Sequence, residues 1–168
     1  MKKTILLGAV LLTLTSCWEA VSSSDETMST EYTPVLMKRS DFEAAITLQG
    51  SKSIKNYGKI YRKGDLLFIN ERYEGVHVID NADPTNPTHI GFISIPGNVD
   101  IAMSGNTIYA DNITDLIAIT YANDKIEVQS RQRGLFPEPV PPDLGYIPAQ
   151  YSADKRPEDM LIVKWEKQ

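Results

Sequence analysis

The chain reads as a mainly β protein, built from antiparallel four-stranded units of the propeller-blade type. Two such units make an incomplete propeller, with a short helix before them and a proline-rich extension after. Three observations predict this. Residues 57–95 (YGKIYRKGDLLFINERYEGVHVIDNADPTNPTHIGFISI) hold four apolar runs of strand length parted by turn-forming residues. A second, more degenerate copy follows at a spacing near 40 residues, and a period near 40 with four strands per unit is the signature of propeller blades. Hydrophobic residues make up 42% of the 168 and charged residues 23%, the balance of a packed domain rather than a disordered chain.

The chain begins MKKTILLGAVLLTLTSC. Lys2 and Lys3 give it a positive start, and residues 5–14 form an apolar stretch of ten. A bilayer span requires roughly 20, so residues 1–16 read as a secretory signal peptide. Leu14-Thr15-Ser16-Cys17 is similar to a bacterial lipobox. That likeness implies cleavage before Cys17, a diacylglycerol on its thiol and an acyl chain such as palmitate on the new α-amino group. Each buried methylene then contributes roughly 0.8 kcal/mol, and two or more chains give stable attachment where one does not. Trp18 follows directly, with the amphipathic ring favoured at headgroup level. The expected address is the bacterial cell envelope, on the outer membrane, with Cys17 as the lipidation site and the membrane as a partner. Cys17 is also the only cysteine, which excludes an intrachain disulfide and a cysteine-based metal site.

Residues 17–33 are rich in Ser, Thr and acidic side chains and lack apolar periodicity, so they read as the lipidated cysteine and a flexible tether. Loss of residues 1–16 removes Lys2 and Lys3, leaving 15 basic against 22 acidic side chains and a net charge of −7. That acidity argues against a nucleic-acid partner. The folded region is expected over 34–135. Ser40-Asp41-Phe42-Glu43 fits a capping box and predicts a helix over 41–47, ended by Gly50.

The first unit spans about 57–95. Strands are expected at 60–62 and 66–69, on either side of the Lys63-Gly64-Asp65 turn, and then at 76–80 and 89–95. Residues 81–87 (NADPTNP) carry two prolines and cannot be a central strand. The second unit spans about 99–133. There Ser104-Gly105-Asn106 matches the first turn at an offset of 41, 116–120 matches 76–80 at 40, and 125–132 matches 88–95 at 37. The shrinking offset places the deletions in loops. Residues 136–168 read as a proline-rich connector and a partial strand around Leu161-Ile162-Val163.

Residues 34–135, about three-fifths of the chain, resemble the bacterial LVIVD-repeat proteins, a β-propeller-like family often secreted or lipid-anchored. The likeness is carried by Gly75-Val76-His77-Val78-Ile79-Asp80, the following Asp83-Pro84-Thr85-Asn86-Pro87, and the run Gly97-Asn98-Val99-Asp100-Ile101-Ala102. Leu116-Ile117-Ala118-Ile119-Thr120 keeps the apolar core but loses the terminal Asp. The resemblance implies the N-terminal portion of a longer repeat protein. It brings no established activity with it.

No motif for phosphate binding, metalloprotease, hydrolase or calcium chemistry is present, so no catalytic, cofactor-binding or metal-ligating residue is assigned and no cofactor is expected. His77 and His89, the only histidines, lie on strands of one unit and are expected to be strand-surface residues able to approach across a sheet. Asp111 with Asp115, and Asp80 with Asp83, are carboxylate pairs whose expected role is to accept turn amides. Tyr57, Tyr61, Phe68, Tyr73, Phe92 and Tyr109 are expected to pack within and across strands, with a Tyr-rich carbohydrate-binding rim as the functional alternative. The function expected is a non-catalytic interaction module for a protein or glycan. The alternatives are an envelope enzyme using Asp80, His77, Asp111 and Asp115, or a truncated relative of a longer propeller. Two units leave sheet edges and one face unpaired, so self-association to complete the array is a further expectation.

Overall fold

The computed structural model describes residues 29–168. The expected signal peptide, residues 1–16, and Cys17 and Trp18 lie outside the described residues. Within them the protein is mainly β, with antiparallel sheets of five, four and two strands and one short α-helix.

The five-stranded sheet contains a continuous meander of β3 (Tyr57–Lys63), β4 (Leu66–Glu71), β5 (Gly75–Asp80) and β6 (Thr88–Ser94). β3 and β4 are joined through Gly64-Asp65, with Gly64 at φ 57° and Lys63 paired with Leu66. Glycine at the first of two central positions is the chemistry of a type II′ hairpin, whose twist matches that of the strands. The fifth strand, β2 (Thr47–Gln49), pairs with the outer edge of β6.

The four-stranded sheet repeats the meander order with β7 (Ile101–Ser104), β8 (Thr107–Asn112), β9 (Asp115–Ala122) and β10 (Lys125–Gln132). Gly105, again at φ 57°, turns β7 into β8. Asn123 and Asp124, at φ 51° and 55°, turn β9 into β10 in type I′ fashion.

The two large sheets pack face to face. Phe68, Val76, Val78 and Ile93 of the first, with Ile95 just after β6, meet Ile108, Ile117, Ile119 and Tyr121 of the second in one buried cluster. The Phe68 and Tyr121 rings meet edge to face at 5.9 Å. Each such side chain stabilises the fold by about 1.5–3 kcal/mol through burial, so this contact dominates cohesion.

The third sheet pairs β1 (Tyr32–Lys38) with β11 (Met160–Lys167), the two ends of the described chain. Three expectations are corrected here. The tether was expected to reach residue 33, but Tyr32 and Thr33 already belong to β1. The helix is α1 (Arg39–Ala44) rather than 41–47. Ser40 does not cap it: that side chain lies inside the first turn and donates to Asp41, while the position before the helix is Lys38, with no side-chain cap. The reason is tertiary. Lys38 pairs with Met160 in β1–β11, and the Arg39 amide donates to the Asp159 carbonyl at 2.8 Å, so the strand pairing sets where the helix begins.

Candidate functional site

Three chain segments with left-handed backbone converge beside the inner ends of the two large sheets. Tyr73 (φ 70°) lies in the β4–β5 turn, Gly97 (φ 70°) follows β6, and Ile113 (φ 58°) lies in the β8–β9 turn. A β-branched residue in this region is a strained outlier, costing roughly 1–2 kcal/mol, and such strain concentrates at functional sites. The surroundings hold it in place. The Gly97 amide donates to the Tyr73 carbonyl at 2.9 Å, and a Cβ on Gly97 would overlap the Ile113 side chain.

Asn98 and Asp111 complete this corner. The Asn98 amide group is fully buried and donates to the Asp100 carbonyl at 2.8 Å and the Asp111 carboxylate at 2.9 Å, while accepting from Asn70. The Asp111 carboxylate also accepts the Val99 amide at 3.0 Å and the Asp100 amide at 2.7 Å. Burial pushes its carboxyl above the usual value, with those amides pulling the other way.

Over this corner runs a strap, residues 136–142 (FPEPVPP). Its prolines fix φ near −65° and force the preceding residues to extended backbone. It is held at three points, and a fourth bond fixes the chain just before it. The Gly134 amide donates to Asp115 at 3.1 Å, and the Phe136 amide to the Thr114 carbonyl at 2.9 Å. Buried Arg156 donates to both oxygens of Glu138 at 2.8 Å, and the Trp165 indole N–H donates to the Pro139 carbonyl at 2.8 Å.

Between strap, corner and β11 lies an open trough of two adjoining depressions, about 420 Å³ and 490 Å³, which share Val99, Asp111, Ile113 and Pro137. Tyr73, Trp165 and Val163 line the first; Tyr109, Phe136 and Leu116 line the second. Tyr73 is 64% exposed and Tyr109 40%, so two aromatic rings face solvent at this surface.

The other residues singled out in the sequence fall elsewhere. His77 is fully buried rather than on a strand surface. Its Nε2 lies 3.0 Å from buried Glu71, which also accepts the Lys55 and Asn56 amides. Burial alone would raise the Glu71 carboxyl, and the Lys55 amide, the His77 ring and the Asn56 amide outweigh it, so its pKa is lowered. This pair pins the β2–β3 connection to the outer face of the first sheet. His89 does approach His77, with ring centres 6.2 Å apart, but the Glu71 carboxylate is the hydrogen-bond partner of His77.

Asp80 accepts the Ala82 amide and Asp83 accepts from Thr85, both in the 81–87 loop. Asp80 pairs with Leu66, at the end of β5 away from Glu71. Asp111 and Asp115 are engaged separately. Asp115 is buried, with Arg39 at 2.6 Å and Arg131 at 2.7 Å. Burial would raise its pKa, and the bonds from Arg131, the Gly134 amide, Thr114 and Arg39 outweigh that and lower it. Asp80, His77, Asp111 and Asp115 therefore do not form one constellation. Of the aromatics, Phe68 and Phe92 are buried, while Tyr57, Tyr73 and Tyr109 are exposed.

Sequence reasoning missed the trough. Its one available signal was the β8–β9 turn, Asn112-Ile113-Thr114-Asp115, which has isoleucine where the other two-residue turns use glycine or Asn-Asp. No protein-family model, curated protein or solved structure matches the chain.

Proposed function

We propose that this chain is a lipid-anchored protein of the bacterial cell envelope, of the LVIVD-repeat kind, that works as a non-catalytic binding module for a protein or glycan. In this reading the two large sheets are neighbouring blades of a propeller-like array. Support comes from their common meander order and from the paired turn glycines, Gly64 and Gly105, at the same φ of 57°. Face-to-face packing of Phe68 and Val78 on Ile117 and Ile119 is the contact that blades make.

One observation carries the binding role: the trough held open by the strained Tyr73 and Ile113, with exposed aromatic rings at both ends. The buried carboxylates are used in holding the fold. Glu71 and Asp111 capture backbone amides, and Asp115 joins two arginines, which suits a rigid scaffold presenting a surface. The test compares the full chain with its Tyr73→Ala/Tyr109→Ala variant on glycan arrays and in pull-downs from envelope extracts. A partner retained by the parent and lost by the variant is expected. A partner retained equally by both removes the trough from the reading, and turnover of a substrate without retention removes the binding role. The anchor has its own check: an alkyne fatty acid should label the protein, and Cys17→Ser should abolish the label and release the chain from membranes.

A further inference from the structure

We propose that the trough takes a proline-rich segment of a partner protein in extended polyproline II form, seated alongside the chain's own strap. This rests on the binding-module reading and narrows its ligand to one class.

Size comes first. Taking about 200 Å² for an aromatic side chain, the exposed parts of Tyr73 (64%), Tyr109 (40%), Phe136 (37%) and the flanking Val99 and Val140 amount to on the order of 400 Å². A stable interface between two folded proteins needs about 800 Å² per partner, so a second copy docking here would be too weakly held. A single extended segment of a few residues fits the area.

Polar chemistry comes second. The indole and carboxylate groups around the trough already have partners: the Trp165 N–H on Pro139, Asp111 on the Val99 and Asp100 amides, Asp100 on Lys59; among the described residues only the exposed Tyr73 and Tyr109 hydroxyls are left to donate to a ligand carbonyl. A β-strand peptide or a glycan brings amides or hydroxyls that want new partners, and leaving them unmade is costly. A polyproline II segment makes no such demand, because its backbone stays solvated and its prolines have no N–H. Exposed aromatic rings are the surfaces on which proline-rich segments dock.

The molecule itself supplies the third observation. The strap's own prolines already lie along this surface, and the Trp165 indole N–H is the donor that reads one of their carbonyls. One wall of the trough is thus an example of the recognition proposed for its neighbour.

The test uses the full chain with Trp18→Phe, so that Trp165 is the one tryptophan. The probe is a synthetic peptide with the sequence of residues 136–143 (FPEPVPPD); the control has its four prolines replaced by alanine. Amide NMR shifts at Val99, Asp100 and Ile113 should saturate with the proline peptide, and the control should bind about tenfold more weakly. Tyr73→Ala and Tyr109→Ala should each weaken binding about fivefold while leaving the thermal melt unchanged. Equal affinity for both peptides overturns the proposal. So does loss of the Trp165–Pro139 bond on binding, since that would mean the peptide replaces the strap instead of lying beside it. A panel of neutral glycans on the same sample separates the two levels. Trough shifts from a glycan but none from the peptide overturn the proline inference and leave the module intact; no trough shifts from either overturn both.

Discussion

Replacing Asp115 with asparagine tests how α1 and the segment before the strap are locked to the second sheet. Its carboxylate is fully buried and takes Arg39 at 2.6 Å, Arg131 at 2.7 Å, Thr114 at 3.0 Å and the Gly134 amide at 3.1 Å. Four donors converge on two oxygens. Asparagine keeps the shape but has one acceptor, so its amide nitrogen must face either both arginines or the Thr114 hydroxyl and the Gly134 N–H. Breaking a buried pair on one side costs about 3–5 kcal/mol. Arg39 and Arg131 retain 21% and 12% exposure, so water recovers part of their charge, and the lower end, about 3 kcal/mol, is expected. With a urea slope of about 2 kcal/mol per molar, the midpoint should fall by about 1.5 M in far-UV circular dichroism at 25 °C. Adding Arg39→Met alone should restore part of the loss, because it removes one orphaned charge while Arg131 keeps its bond to buried Asn112 at 2.8 Å. A fall under about 0.5 M for Asp115→Asn, or a further large drop in the double variant, would refute this account of the cluster.

Acid should destabilise the protein. Glu71 and Asp115 have pKa values lowered on folding, so their contribution is complete above the ordinary carboxylate range and is lost as pH falls through their folded values. Asp111, raised by burial, works in the opposite sense, and Asp111→Asn should leave a steeper acid limb in urea midpoints measured from pH 7 downward. Gly75→Ala should cost more than about 3 kcal/mol or prevent folding. Gly75 sits at φ 142° between strands, and a Cβ there would overlap the Ile93 carbonyl oxygen and lie 2.9 Å from the Ile95 nitrogen; a thermal melt within a few degrees of the parent would contradict this.

Much of the central fold was legible in the sequence because its signals are local. Gly64 and Gly105 mark hairpin turns by themselves, and the prolines in 81–87 exclude a strand whatever packs nearby. What could not be read depended on distant partners. β1 is a strand because β11, more than 120 residues later, pairs with it, and that pairing also moved the helix start away from the Ser40 capping box. His77 lies on a strand that is covered on both faces, so the alternation that places half of a strand's residues in solvent does not hold there. The trough was hidden for a similar reason. Its residues come from turns, the strap, β11 and the β7–β9 strands, and only their convergence places Tyr73 of one turn near Tyr109 of β8 on adjoining depressions.

The β1–β11 clasp also orders events in time. Thr33 and Gln168 hydrogen-bond across 135 positions of sequence, whereas β3 with β4 and β7 with β8 close through two-residue turns. During synthesis both meanders can pair as they emerge, while β1 waits, its backbone bonded only to water, until β11 leaves the ribosome. Closing so long a loop adds only about 0.6 kcal/mol per doubling of length, so the penalty is chiefly one of delay. In that interval Val35, Leu36 and Met37 of β1 lack the strand that half-buries them in the finished fold.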